Sequence, residues 1–290
     1  MSTLADSKIP DGAPQGDALE AAVEAFGAAG IQMPRLDAEV MLSSITGRDR
    51  SNLIASPETT LTPGESRSFS TAVRRRLRRE PVAYILGRKG FRYIDLIVDP
   101  RVLIPRPESE MLVELALELK PSTVLEIGTG SGAIGLAVAD EIPECTVLGT
   151  DISSDAIAVA NANALTLGLD DRVEFMVGSL PESGDFDLIL ANLPYVAEGE
   201  GLAPEIRGWE PDVAVFGGKT GYEVFEEVLG ELSAGEIETR AIGLEIGHGQ
   251  GDVICGLVED AGFTDVTLWP DLAGIGRVVV GRSGPPESPS

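Results

Sequence analysis

The sequence predicts an α/β protein: a seven-stranded, doubly wound sheet whose last strand pair is antiparallel, preceded by a small helical domain and a linking β-hairpin. Three observations carry that expectation. From Thr123 onward, short apolar runs alternate with helical stretches, as in a sheet covered by helices on both faces. The first run passes through Gly128-Thr129-Gly130-Ser131-Gly132 directly into a helix. Before residue 81, helical spacing and cap residues dominate instead.

Residues 1–14 contain Pro, Gly and Asp without periodicity and are expected to form a flexible tail. The helical domain then spans 15–80. Its first helix runs through Ala18–Phe26 and stops near Gly27 and Gly30. The second covers Leu36–Leu42 and closes at Gly47, and a short third covers Arg50–Ala55. Thr62-Pro63-Gly64-Glu65 is a cap with Pro at the first helical position, opening a fourth helix to Leu77. Arg74, Arg75, Arg76, Arg78 and Arg79 lie on that helix; they suit either a grip on RNA or an acidic partner, or a solvated face. Ala83–Gly87 and Tyr93–Val98, separated by a basic loop, read as a hairpin within 81–100.

The α/β domain spans 101–282. Ile104–Glu110 is held extended by two prolines, before a helix from about Ser109 to Leu119. Strands are expected at Thr123–Ile127, Thr146–Thr150, Val173–Val177, Phe186–Ala191, Ala241–Ile246, Val266–Trp269 and Arg277–Val280. Helices fit at Ala133–Glu141, Ser154–Leu167, Gly221–Leu232 and Asp252–Ala261. The last two strands are joined by a short loop, and parallel neighbours need a long crossover, so this pair should be antiparallel. Residues 283–290, rich in Pro and Ser, should be a disordered tail.

Composition removes several classes. With 290 residues, 43% of them hydrophobic, the chain can bury two cores. No apolar run approaches a membrane span, and Met1–Asp6 lacks the features of a signal peptide. Cys145 and Cys255 make no disulfide framework. A cytoplasmic location, no membrane partner and a monomeric state are expected. The net charge of −25 arises entirely after residue 100, where thirty-four acids face nine bases. Nucleic-acid affinity draws on phosphate neutralisation by Lys and Arg, so this part is a poor nucleic-acid surface. Carboxylates are dispersed and His248 is the sole histidine, so no metal-ligand spacing exists.

Two stretches carry chemistry. Glu126–Gly132 joins the first strand to its helix; its glycines permit close backbone approach to a ligand, and the helix start offers free N–H groups. Asp151, ending the second strand, can accept both hydroxyls of a ribose. The pattern suits a nucleoside-bearing cofactor without saying which, and Gly128, Gly130 and Ala133 also satisfy a dinucleotide fingerprint. Asn192-Leu193-Pro194-Tyr195 follows the apolar run Phe186–Ala191, setting an amide, a bend and an aromatic face where open α/β sheets bind ligands. Asn and Pro are also ordinary turn residues.

Strand count, final antiparallel pair and Asn-x-Pro-Tyr together resemble the class I S-adenosylmethionine-dependent methyltransferases, in the group with an Asn-Pro-Pro-Tyr-type motif. Arg35–Glu39, Arg79–Gly87, Leu103–Glu110, Trp209-Glu210-Pro211, Gly217–Gly221 and Glu245–Gly251 narrow the resemblance to the peptide chain release factor glutamine methyltransferases, over residues 17–282. The resemblance implies S-adenosylmethionine as cofactor, held by Glu126, Gly128, Thr129, Gly130, Ser131, Gly132 and Asp151, by Ser179 and Leu180 after the third strand, and beside Asn192. It implies a catalytic and substrate-binding set of Asn192, Leu193, Pro194 and Tyr195. The substrate it implies is the Gln of the Gly-Gly-Gln loop in class I release factors, methylated on its side-chain nitrogen, with the helical domain helping to dock the release factor.

Three positions depart from the family's pattern. Leu193 stands where Pro is usual, but only its carbonyl is used and Pro194 keeps it extended, so activity should survive. Gly178-Ser179-Leu180 stands where an acid is usual, leaving Ser179 to hydrogen-bond the adenine region. Gly274-Ile275-Gly276 lacks an expected charge. The competing readings are glutamine methylation of a ribosomal protein, adenine-N6 methylation of nucleic acid, a silent cofactor-binding module, and a dehydrogenase.

Overall fold

The computed structural model describes residues 9–284; the outer parts of both expected tails lie outside the described residues. The chain divides into two units. One runs to Gly87 and takes in Ala203–Trp209, and the other, beginning at Arg88, comprises the rest.

The first unit is built, over its described residues up to Gly87, from α1 (Gln15–Ala28), α2 (Pro34–Thr46), α3 (Arg50–Ala55), α4 (Pro63–Leu77) and α5 (Val82–Leu86). Pro34 and Pro63 sit in first turns, where a missing N–H costs nothing. At α4, Thr62 Oγ1 accepts from Glu65 N at 3.2 Å and Glu65 Oε2 accepts from Thr62 N at 2.6 Å, a reciprocal cap. Phe26, Met41, Leu42, Leu53 and Phe69 pack together inside.

Two expectations are corrected here. Residues 9–14 are not a loose tail: Ile9 and Ala13 are buried in the helical core, and Ile9 N donates to Ser70 Oγ at 3.1 Å. Two apolar side chains anchor that stretch without any periodicity. Ala83–Leu86 is helix rather than strand, begun after Pro81 and ended by Gly87 in the left-handed region at φ 70. A five-residue apolar run carries no period to separate the two states.

The arginine run resolves into internal clamps. Arg75 Nε donates to Glu80 Oε2 at 2.7 Å, and its Nη1 donates to the Ile85 carbonyl at 3.1 Å. Buried Arg76 pairs with Asp37 at 2.8 Å and with Glu205 at 3.0 Å. Arg79 reaches Glu205 at 3.1 Å and the Ala29 carbonyl at 2.7 Å. Only Arg74 and Arg78 of the run are exposed.

The second unit opens with a hairpin, β1 (Arg88–Phe91) and β2 (Ile94–Ile97), shifted from the expected one because the preceding apolar run is helical. There follow α6 (Glu110–Leu119), β3 (Thr123–Ile127), α7 (Ala133–Glu141), β4 (Thr146–Asp151), α8 (Ser154–Leu167), β5 (Val173–Val177), β6 (Ser183–Phe186) and β7 (Leu188–Ala191). After the turn α9 (Pro204–Arg207), which belongs to the first unit, come α10 (Glu223–Ala234), β8 (Glu236–Thr239), β9 (Ala241–Glu245), α11 (Gly251–Asp260), β10 (Asp265–Pro270) and β11 (Gly276–Arg282).

The main sheet has seven strands in the order β10-β11-β9-β7-β3-β4-β5. All neighbours are parallel except at β11, which is antiparallel to both β10 and β9. β7 and β9 are buried along their whole length, as strands covered on both faces must be. The expected strand Phe186–Ala191 is broken at Asp187, whose Oδ2 accepts from Ser122 N at 2.8 Å. Its first residue, Phe186, instead ends β6, which pairs with β8 in a separate parallel ribbon. Strand order reverses around β3: β4 lies on one side and β7 on the other. In such sheets that switch point opens the ligand crevice, at the carboxyl edge. No helix among the described residues is long and apolar enough to cross a membrane.

Candidate active site

A cleft of about 260 Å³ opens at this switch point. Gly128, Gly130, Asp151, Ser153, Gly178 and Ser179 line one part of it; Asn192, Leu193 and Pro194 line another. Arg101–Leu103, Pro211–Phe216 and Val224–Val228 contribute further wall residues.

The loop after β3 is wound tightly. Gly128, Gly130 and Gly132 all take positive φ, at 71°, 56° and 81°. At Gly132 a Cβ would also meet Leu136 and Phe175 at 2.9 Å, so no other residue fits. Thr129 N donates to the Thr150 carbonyl at 2.9 Å, and Gly130 N donates to Asp151 Oδ2 at 2.9 Å. Asp151 Oδ1 accepts from Ser153 N at 2.9 Å. Burial raises the Asp151 pKa, and these backbone donors oppose that.

Glu126 faces away from the large cleft. Its Oε2 accepts from Thr129 Oγ1 at 2.5 Å and from Gly135 N at 3.1 Å, which ties the loop to the start of α7. Burial pushes this carboxyl up to about 7. Glu126, Thr129 and Ser131 instead border a smaller recess, shared with Ser109 and Asn192. Leu180 packs on the hydrophobic core. Ser179 lines the cleft, but its hydroxyl donates to Glu231 Oε2 at 2.9 Å, and Glu231 is not a wall residue of the cleft.

The loop after β7 is held from several directions. Asn192 Nδ2 donates to Ser109 Oγ at 2.9 Å, and Ser109 Oγ donates to Glu245 Oε2 at 2.6 Å. Gln250 Nε2 donates to the Tyr195 carbonyl at 3.1 Å and to that of Gly221 at 3.3 Å. Gly217 N donates to the Val196 carbonyl at 2.9 Å. A Cβ at Gly217 would lie 2.3 Å from the Pro194 carbonyl oxygen, so that approach requires glycine. Leu193 is buried and its Cδ2 lies close to Gly128. Tyr195 does not line the cleft; its half-buried ring packs on the core beside Gly247, and burial pushes its hydroxyl up to about 12. His248 is exposed in the turn after β9.

A further tie secures the cleft wall. Arg106 Nη2 donates to both oxygens of Glu210, at 2.6 and 2.8 Å, and Glu210 is buried. Ser109, Glu245, Arg106, Glu210 and Gln250 were absent from the expected site. All five fall in the stretches Leu103–Glu110, Trp209–Pro211 and Glu245–Gly251, whose pairings with one another and with the Asn192–Tyr195 loop are visible only in three dimensions. A buried acid ending an otherwise apolar strand, as Glu245 does, was the one local signal.

Residues 17–87 match the PrmC N-terminal domain, and residues 119–206 match a methyltransferase domain. Over 273 residues the chain is 37% identical to the release factor glutamine methyltransferase of Koribacter versatilis, covering 91% of this chain and 97% of that one. The namesake from Caulobacter vibrioides is 38% identical over 271 residues, covering 90% and 94%. The chain belongs to the release factor glutamine methyltransferase family. Among solved structures, the hMettl16 catalytic domain in complex with a MAT2A 3′UTR hairpin superposes with a TM-score of 0.55 at 13% identity, covering 76% of this chain and 83% of that one. That likeness shows the class I methyltransferase fold.

S-adenosylmethionine is the methyl donor of this family, and the residues present fit it. A carboxylate has about four lone-pair sites; backbone donors occupy two of those on Asp151, which leaves acceptors on the cleft wall for ribose hydroxyls. Gly128 and Gly130 bring bare backbone to the same wall.

Proposed function

We propose that the chain transfers a methyl group from S-adenosylmethionine to the side-chain amide nitrogen of the Gln in the Gly-Gly-Gln loop of class I release factors, giving N5-methylglutamine. The observation that carries this reading is the state of the Asn192 amide. Its NH₂ is bonded to Ser109, and its Oδ1 has no protein donor among the described residues, on the wall of the cleft.

An amide nitrogen is a poor nucleophile because its lone pair is delocalised into the carbonyl. The cofactor, when bound, supplies an electrophilic methyl group. Asn192 Oδ1 and the Leu193 carbonyl accept the two N–H hydrogens of the substrate amide, shift electron density onto nitrogen, and aim it. Fixed dipoles of this kind need no reorganisation during reaction. Pro194 holds residue 193 extended, so Leu193 serves as well as proline would. The accessible part of the Tyr195 ring receives the flat face of the substrate amide. Gly128, Gly130 and Asp151 hold the donor; Glu126, Thr129, Ser131 and Gly132 shape the loop that does so, and Ser179 and Leu180 close its far side. The helical unit docks the release factor. Translation factors are cytoplasmic substrates, and the acidic second unit disfavours nucleic acid.

The test is mass spectrometry of a purified class I release factor after incubation with the protein and S-adenosylmethionine. One added methyl on the Gly-Gly-Gln peptide is expected, lost by more than about 10²-fold with Asn192→Ala. No methyl on that peptide overturns the reading.

A further inference from the structure

A buried polar chain runs inward from Asn192. Ser109 Oγ lies 2.9 Å from Asn192 Nδ2 and 2.6 Å from Glu245 Oε2. Ser109 and Glu245 are 3% and 1% exposed, so bulk water cannot replace either partner. A hydroxyl has a single proton. Once that proton is given to the Glu245 carboxylate, Ser109 Oγ can only accept. Asn192 must then turn its NH₂ toward Ser109 and its Oδ1 away. With the Ser109 proton reversed, the amide would be free to rotate by half a turn. It would then offer N–H donors to a substrate that itself brings N–H donors.

We propose that Glu245 and Ser109 are positioning residues that set the amide orientation of Asn192, Glu245 by fixing the direction of the Ser109 proton. This rests on the methyl-transfer reading above, in which Asn192 must act as an acceptor. The placement of Glu245 supports it. A carboxylate ending an apolar strand is costly without compensation, yet Glu245 has no ion pair among the described residues. The charged groups facing it are Arg106 and Glu108, from the segment before α6, and Arg277 on β11. Arg106 is bonded to Glu210, and Arg277 to Asp271. Tyr195 also lies within its field. Ser109 is therefore the hydrogen-bond partner of Glu245, and orienting that one hydroxyl is what the carboxylate does.

The device is sensitive to pH. Burial, and after it Glu108, raise the Glu245 carboxyl to about 7, against the Ser109 hydrogen bond and the weaker pull of Arg277 and Arg106. The ionised form is the orienting one. Turnover should therefore be full above this value and fall as pH drops through it.

The experiment pairs kinetics with nuclear magnetic resonance. In methyl transfer to a release factor, Ser109→Ala should lower kcat by about 10- to 100-fold while S-adenosylmethionine affinity, by calorimetry, stays within about twofold. Ser109→Thr, which keeps the hydroxyl, should recover most of the rate. Glu245→Gln should remove the acid limb of the kcat profile. Unchanged kcat in Ser109→Ala, or an acid limb that persists in Glu245→Gln, overturns the proposal. Should Ser109→Ala not fold, the wild-type protein with ¹⁵N-labelled asparagine still decides. The Asn192 side-chain signals, identified by their loss in Asn192→Asp, should titrate near neutrality, and flat signals overturn the relay. A wild type that titrates but methylates no release factor refutes the substrate reading; one that methylates with flat Asn192 signals refutes the relay alone.

Discussion

The loops after β3 and β7 leave the same sheet edge and line the same cleft, yet they are held in different ways. The glycine loop is closed by near neighbours: Thr129 bonds Glu126 three residues away, and Gly130 bonds Asp151 twenty-one residues away across adjoining strands. The Asn-Leu-Pro-Tyr loop is tied to Ser109, eighty-three residues distant, and to Gln250, fifty-five distant. The loop proposed to hold the cofactor is thus a local device, and the loop proposed to be catalytic is an assembly whose parts meet only when the sheet is complete. Substitutions should separate the two.

The largest separation is expected at Asp151. Asp151→Ala removes a charged acceptor; one lost hydrogen bond to it is worth about 1.5–3 kcal/mol, so S-adenosylmethionine affinity should fall by at least about 10- to 100-fold in calorimetry. A loss below threefold would show that Asp151 does not hold the donor. A smaller effect, of the opposite kind, is expected at Gln250. Gln250→Ala leaves the Tyr195 carbonyl unpaired and loosens the distant-tethered loop, lowering kcat by about tenfold with cofactor affinity retained. Equal losses in both quantities would erase the distinction between the loops. The smallest effect is expected at Ser179, whose hydroxyl points to Glu231. Ser179→Ala should change cofactor affinity by no more than about twofold, because the bond it breaks is one to a surface carboxylate. A larger loss would mean that this hydroxyl turns to the ligand on binding.

The same distinction explains what could be read from the sequence. The placement of Gly128, Gly130, Asp151 and Asn192 at one sheet edge is legible because strand-to-helix turns and strand ends carry local signals. The alternation after Thr123 fixed the sheet, including the antiparallel β10 and β11, because a short loop cannot make a parallel crossover. Ser109 and Glu245 were not legible as a pair, since nothing local says that a proline-held segment and the end of β9 will meet. α5 reads as a strand in the sequence because five apolar residues have no measurable period. The arginine run left two readings open, and three of its members proved to be internal clamps on Glu80, Asp37 and Glu205.

The reversed direction of β11 has a practical consequence. Arg282 pairs with Ala241, at the start of β9, so β11 delivers the chain to the sheet edge opposite Asn192. Ser283, exposed there, is a natural attachment point. A fluorophore or surface tether placed on a cysteine at that position would leave the mouth of the cleft uncovered, so immobilised protein could meet a large macromolecular substrate from the open side.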